Sequence, residues 1–211
     1  MKYKLIAFDM DGTLVEETSC WEVLHRHFGT KESACPNLEA YERGEIDYPE
    51  FMRRDIALWQ PLPLLEEVKK ALASYTIAPN VREVVAEVHR RGYKTAIVTG
   101  GLDFLADDVA RELGISHVLA NGLEADKSGR LTGKGIFRVE PSKKDVVMVQ
   151  LVEKIGTTLN ECVAVGDSKY DVKFLEVVGL AVAIGKNPKL VEVADVVIED
   201  FSHFPELLDY L

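Results

Sequence analysis

Asp9 and Asp11 stand one residue apart in FDMDGTLVEE, at the end of the short apolar run LIAF, and Glu16 and Glu17 follow closely. Four carboxylates in nine residues repel one another unless a cation, a proton or solvent relieves them. Three further polar stretches follow apolar runs or open helical ones. TGG (Thr99, Gly100, Gly101) follows YKTAIV, GDSKYD (Gly166–Asp171) follows ECVAV, and Lys143–Lys144 precedes the helical pattern leading into ECVAV. Each stretch alone has an ordinary explanation: an Asp turn, a glycine stop, an Asp-Ser cap, a solvated lysine pair. Their joint occurrence, in this order and at the ends of successive elements, points to one site.

The residue types define what that site could do. Extended geometry at Asp9 and Asp11 directs both carboxylates to one side. Asp167 adds a third hard oxygen donor, a set suited to octahedral Mg²⁺ with waters and a phosphate oxygen completing the shell. Zinc is disfavoured, because no His or Cys joins the set. The Thr99 hydroxyl and the Gly100 and Gly101 amides can donate to phosphate oxygens. A lysine supplies a point charge against the phosphate. One aspartate can then attack phosphorus to give an aspartyl-phosphate. The other can protonate the leaving oxygen and later activate water.

Such residues need a scaffold. Tyr3–Phe8 reads as a buried strand. Thr18–Tyr75 shows no convincing strand, and PNLEAY, YPEF and PLPLLEEV read as helix starts. From Pro79 onward strands and helices alternate. Asn80, with Glu83 three residues on, caps VREVVAEVHRRG, and Asp103–Leu113 is a helix stopped by Gly114. Gly122–Val139 reads as a small β-hairpin with NG and KSG turns. Ser142, with Asp145, caps the next helix, and LAVAIG and VVI are later strands. The expected fold is α/β: a doubly wound parallel, Rossmann-like sheet with an inserted helical cap and a small hairpin. Residues 1–14 and 78–211 form the core, and residues 15–77 the cap. In such sheets ligands sit beyond the carboxyl ends of the strands, where all four polar stretches fall.

Composition agrees. The 211 residues are 47% hydrophobic and 28% charged, an ordinary globular mixture, with net charge −10. Acids spread along the whole chain disfavour nucleic acid and anionic membrane as partners. Cys20, Cys35 and Cys162 are too few and scattered for a disulfide framework. The five histidines show no ligand spacing, and His25 and His27 are expected on an amphipathic cap helix. With no apolar run near the ~20 residues of a spanning helix, the chain is expected to be cytoplasmic.

DMDGT, TGG, Lys144 and GDSKYD together resemble the four motifs of the haloacid dehalogenase superfamily of phosphohydrolases, over nearly the whole chain. Within it, IVTGGLDFLADDVARELGI, ANGLEADKSGRLTG and VAVGDSKYD resemble the phosphoserine phosphatase branch. The resemblance implies Asp9 as nucleophile and Asp11 as acid/base. It implies Mg²⁺ held by Asp9, the Asp11 backbone carbonyl and Asp167. Phosphate would lie on Thr99 and Lys144, and Asp171 would orient Lys144 or a metal-bound water, with Ser168 in support. It also implies a small phosphorylated metabolite as substrate, phosphoserine first, a place in serine biosynthesis, and a monomer or homodimer. The sequence departs from the branch at three places. Thr18 stands where a serine ammonium is bound by an acidic residue, and Asp55 where an arginine takes the carboxylate. The last motif reads GDSKYD rather than GDGxND. Glu17, Thr18 and Arg53 are therefore the expected cap contacts to substrate, while Trp21 and Met52 are expected to pack within the cap. A phosphotransferase or mutase would need the same four motifs. A dehalogenase would not need Asp11. A receiver module would place a lone aspartate on the TGG strand and lack the long insertion.

Overall fold

The computed structural model describes residues 2–204 and Leu208. Seven strands form one sheet in the order β4-β3-β2-β1-β5-β6-β7. β1 (Leu5–Phe8) lies at its centre, paired in parallel with β2 (Lys94–Leu102) and β5 (Cys162–Gly166). β3 (His117–Ala125) continues the parallel set on one side, with β6 (Leu180–Ile184) and β7 (Val196–Ile198) on the other. The order therefore reverses at β1, and the crevice beyond its carboxyl end is the switch point where doubly wound sheets bind ligands.

Strand alternation sorts β1 between two cores. Ile6 and Phe8 join the layer of α5 (Val81–Arg90) and α6 (Asp103–Leu113). Leu5 and Ala7 join the layer of α7 (Lys144–Ile155) and α8 (Val172–Glu176). All four β1 residues are fully buried. A strand covered on both faces has no polar positions to spare, which is why LIAF reads as an unbroken apolar run.

Between β1 and α5 the chain makes four helices: α1 (Cys20–His27), α2 (Lys31–Glu42), α3 (Tyr48–Leu58) and α4 (Leu65–Leu72). The segment's two ends are tied together: Glu16 N–H donates to the Thr76 carbonyl at 2.9 Å and Ala78 N–H to the Leu14 carbonyl at 3.0 Å. The inside of this segment is aromatic, with Trp21 stacked on Trp59 and Tyr48 on Phe51.

Several sequence expectations change in detail. PNLEAY does not begin a helix: α2 begins at Lys31 and carries Pro36 inside it. Pro36, sixth in the helix, has no N–H to give the Glu32 carbonyl, so α2 runs on with one hydrogen bond fewer. Asn80 does precede α5, but in the left-handed region (φ 64°) and without a side-chain cap bond. Ser142 does not cap α7. It lies in a 3-10 turn, Pro141–Lys143, that leads directly into that helix. The hairpin is not separate from the main sheet. Its first strand is the second half of β3, and β4 (Leu131–Ile136) adds an antiparallel edge. Met52 of α3 packs on that edge, where a Cβ on Gly135 would lie 2.3 Å from its methyl carbon.

Candidate active site

Three strand ends and one helix start meet beyond β1. The fully buried Lys144, first residue of α7, sends its Nζ to Asp9 Oδ1 and Asp171 Oδ1, at 2.6 Å each. The other oxygen of Asp171 accepts from the Ser168 backbone N–H (3.0 Å) and hydroxyl (2.9 Å). Asp167 Oδ1 accepts from the buried Thr13 hydroxyl at 2.8 Å. Gly12 makes that approach possible. It sits at φ +79°, and a Cβ there would fall 2.5 Å from Asp167 Oδ2.

Carboxylate oxygens of Asp9, Asp167 and Asp171 lie within 4.8 Å of one another. Asp11 lines the same cavity, but its carboxylate turns toward Gly101 and Cys20, and its buried Oδ1 has no hydrogen-bond partner. The third carboxylate of the cluster is thus Asp171 rather than Asp11. The electrostatics are those of acids short of cations. Burial, then the neighbouring Asp171, raise Asp9 well above the usual carboxylate range, with Lys144 opposing. Burial raises Asp11 to about 6 against the pull of the Cys20 backbone and thiol. Burial and Asp171 raise Asp167 to about 6 against the Thr13 hydroxyl. Burial would lower Lys144, but Asp171 and Asp9 outweigh it and hold it above its usual value. Four acids around one lysine leave a negative surplus that a divalent cation would relieve. An all-oxygen donor set suits a hard ion such as Mg²⁺.

The TGG turn is shaped by a bulge. Val98 pairs with Leu119 and Leu102 with Asn121, so β2 spends four residues against two of β3. Thr99, Gly100 and Gly101 are thereby lifted off the ladder. The Gly101 N–H donates to Thr99 Oγ1 at 2.9 Å rather than into the cavity, which leaves the hydroxyl proton of Thr99 free to donate. Gly100 lies against Pro141, where a Cβ would come within 2.5 Å of the ring.

Asn121 carries no signal in the sequence and yet organises this corner. Fully buried, it donates to the carbonyls of Gly100 (3.0 Å) and Val139 (2.9 Å). It accepts from the N–H groups of Arg138 (2.7 Å) and Val139 (2.9 Å). One amide thus fixes the TGG bulge to the segment that leads into Lys144. Thr13 is a second supporting residue missed by type, although the DGT spacing contains it.

The helical segment lies over the cavity and ties down to the core. Tyr48 OH donates to the Gly100 carbonyl at 2.7 Å, Tyr41 OH to Glu140 at 2.5 Å, and Tyr170 OH to Glu42 at 2.6 Å. The cavity volume is about 410 Å³, within the roughly 300–1,000 Å³ of small-molecule sites. Of the expected substrate contacts, Thr18 lines this cavity. Glu17 and Arg53 do not. The Glu17 carboxylate accepts from the Thr76 N–H and braces the neck of the helical segment. Arg53 is exposed, its guanidinium spent on Glu50 one turn back, and Arg54 shares the same partner. On α3 the residues that face inward are Tyr48, Phe51 and Asp55, a periodicity that puts Arg53 on the outer side. Asp55 and His25, which the spacing did not single out as ligands, both line the cavity. Trp21 packs as expected and lines it as well.

Comparison with known proteins places this geometry among relatives. Residues 6–176 match the haloacid dehalogenase-like hydrolase family model. The chain is 33% identical over 213 residues to phosphoserine phosphatase of Methanocaldococcus jannaschii, with 100% of this chain and 98% of that protein covered. A solved substrate-bound phosphoserine phosphatase complex superposes with a TM-score of 0.83 at 30% identity, covering 100% and 99% of the two chains. A phospho-aspartyl intermediate analogue of phosphoserine phosphatase gives 0.83 at 29% identity over the whole of both chains.

Proposed function

The chain belongs to the haloacid dehalogenase-like hydrolase family, and from that premise we propose that it is an Mg²⁺-dependent phosphomonoesterase of small metabolites working through an aspartyl-phosphate. The observation that carries this reading is Lys144 held between Asp9 and Asp171, beside Asp167, in the cavity under the helical segment.

Asp9 is the nucleophile. Its carboxylate attacks phosphorus in line, and the bond from phosphorus to the leaving oxygen breaks. Asp11 gives that oxygen a proton. A buried carboxyl raised to about 6 holds a proton near neutral pH far better than an exposed one. Asp11 then takes a proton from water, which attacks the phosphorus of the aspartyl-phosphate. The bond to the Asp9 oxygen breaks, releasing phosphate and restoring both groups. Thr99 and Lys144 hold the phosphate oxygens, and Asp171 with Ser168 fixes Lys144. Mg²⁺ would be held by Asp9, Asp167 and the Asp11 backbone carbonyl, and supplies positive charge against the phosphate oxygens. Residues 1–14 and 78–211 form the catalytic core and 15–77 the cap, which excludes water from the reaction.

The relatives named above are phosphoserine phosphatases, which makes phosphoserine the reference substrate. We place the enzyme in the cytoplasm as a monomer or homodimer. Among the described residues no helix is long and apolar enough to cross a membrane. The deciding experiment is phosphate release from an aryl phosphate with Mg²⁺ and with EDTA, alongside intact-protein mass analysis of quenched turnover. Mg²⁺-dependent release with transient phosphorylation at Asp9 is the expected result. Turnover without any covalent phosphoprotein would reject the mechanism.

A further inference from the structure

The end of the cavity away from Lys144 is built by the helical segment, around a buried carboxylate. Asp55, 2% exposed, lines the cavity. Its Oδ2 pairs with His25 Nε2 at 2.9 Å, and its Oδ1 accepts from Asn37 Nδ2 at 2.8 Å. The indole N–H of Trp59 donates to His25 Nδ1 at 3.3 Å, which requires a lone pair on that nitrogen. The Thr30 hydroxyl lies 2.7 Å from the same atom. Asp55 thus accepts from the His25 ring on Oδ2 and from Asn37 on Oδ1, and among the described residues no lysine or arginine pairs with it.

No arginine among the described residues lines this cavity. Among the described residues, the lysines lining the cavity are Lys31 and Lys144. Lys144 is buried and held by Asp9 and Asp171, whereas Lys31 is 56% exposed and pairs with Glu22 at 2.7 Å. The walls are aromatic, formed by Trp21, Tyr41, Tyr48 and Phe51. A buried carboxylate among aromatic walls disfavours a second carboxylate and favours a cation.

We propose that the substrate is a phosphate monoester whose leaving alcohol carries a cationic nitrogen and no carboxylate, and that Asp55 is the residue that selects it. The proposal rests on the phosphomonoesterase reading above and adds the chemistry of the leaving group. Phosphoserine would bring a carboxylate into the cavity that Asp55 lines, where the further cation, Lys31, is 56% exposed and paired with Glu22. Removing only that carboxylate from phosphoserine gives phosphoethanolamine, so the two form a matched pair. Phosphocholine carries the same cation in a methylated form suited to aromatic walls.

The test compares kcat/KM for phosphoethanolamine, phosphocholine, O-phospho-L-serine and an aryl phosphate, in Mg²⁺. At least one of the two amino-alcohol phosphates should exceed phosphoserine tenfold or more. Asp55→Asn should lower the ratio of amino-alcohol phosphate to aryl phosphate turnover about tenfold. Equal or better use of phosphoserine by the native enzyme overturns the proposal, whether or not the variant folds. If no phosphate ester is cleaved, the phosphatase reading fails separately. Binding then decides the specificity: a larger rise in Tm with phosphoethanolamine than with phosphoserine supports the assignment, and the reverse order overturns it.

Discussion

The ammonium of Lys144 lies 2.6 Å from Oδ1 of Asp9, although 135 residues separate them in the chain. Asp171 holds the same ammonium from the other side at the same distance. Both carboxylates are buried, so the lysine is the counter-ion of one and the anchor of the other.

Replacing Asp9 by Asn should cost turnover without costing the fold. The buried Asp9 carboxyl is raised well above its usual value, chiefly by burial and then by Asp171, so its ionised form is disfavoured in the metal-free protein. A neutral amide of the same shape removes that strain. We expect kcat for an aryl phosphate to fall by on the order of 10³ or more, with Tm in EDTA unchanged or higher. Lys144→Met should do the opposite to stability. It strands two buried acids, and urea unfolding should show a loss of about 3–5 kcal/mol. A Tm drop in Asp9→Asn matching that of Lys144→Met would contradict this division.

Asp11 gives a prediction in pH. Its folded-state value is about 6 against an ordinary 3.8, with burial the leading cause. A carboxyl raised in the folded state binds its proton more tightly there than in the unfolded chain. Its contribution to stability is therefore fully present below the unfolded value and is lost as pH rises through about 6. Asp11→Asn keeps the neutral form at every pH. In EDTA the variant should gain on the native protein as pH rises from about 4 to 7.5, by on the order of 3 kcal/mol. Denaturant melts at both pH values measure the difference, and a gain independent of pH would show that Asp11 is not the titrating group.

Much of this site was legible because chemistry constrains residue type. Asp9, Asp11, Thr99, Lys144, Asp167 and Asp171 are polar residues ending or opening elements of a buried sheet, and apolar runs make such residues conspicuous. Fold class was legible for the same reason, since strands covered on both faces leave unbroken apolar runs. Asn121 was not. A lone asparagine in HVLANG reads as a turn residue, and of its four hydrogen bonds one goes to Gly100 in the bulge of β2 and three to Arg138 and Val139 beyond β4, groups that only the fold brings near. Arg53 misled for a related reason. Proximity in sequence to Asp55 says nothing of helix face, and the ion pair with Glu50 one turn back holds it outside.

Asn121→Ala should reveal that corner. It leaves the buried Val139 N–H without its acceptor and the Val139 carbonyl without its donor, and frees the Gly100 carbonyl from one of its two donors. Unsatisfied buried groups cost about 1–3 kcal/mol each, so a loss of at least 2 kcal/mol in urea is expected. The TGG turn and the segment leading to Lys144 would also lose their common anchor. kcat should then fall together with phosphate affinity, read as weaker product inhibition by inorganic phosphate. Lost stability with unaltered phosphate inhibition would confine Asn121 to the core.

Gly12→Ala tests whether the acid cluster binds a metal. Gly12 occupies the left-handed region at φ +79°, and an added Cβ would lie 2.5 Å from Asp167 Oδ2. Two costs follow. The backbone strain weakens the fold by roughly 1 kcal/mol or more. The clash also pushes Asp167 away from Asp9 and Asp171, which now lie within 4.8 Å of one another. The two are separable by titration. In the native protein MgCl₂ should raise Tm, the stabilisation reaching about 2.7 kcal/mol at a hundredfold excess over Kd. In Gly12→Ala the starting Tm is lower, and the midpoint of the Mg²⁺ response should move to at least tenfold higher concentration. Asp167→Asn, which keeps Gly12 and removes a charged donor, should show the same displaced midpoint from a starting Tm no lower than native, because burial and Asp171 raise the Asp167 carboxyl to about 6. A native-like Mg²⁺ midpoint in both variants would remove Asp167 from the metal site and leave the acidic cluster to be explained by protons alone.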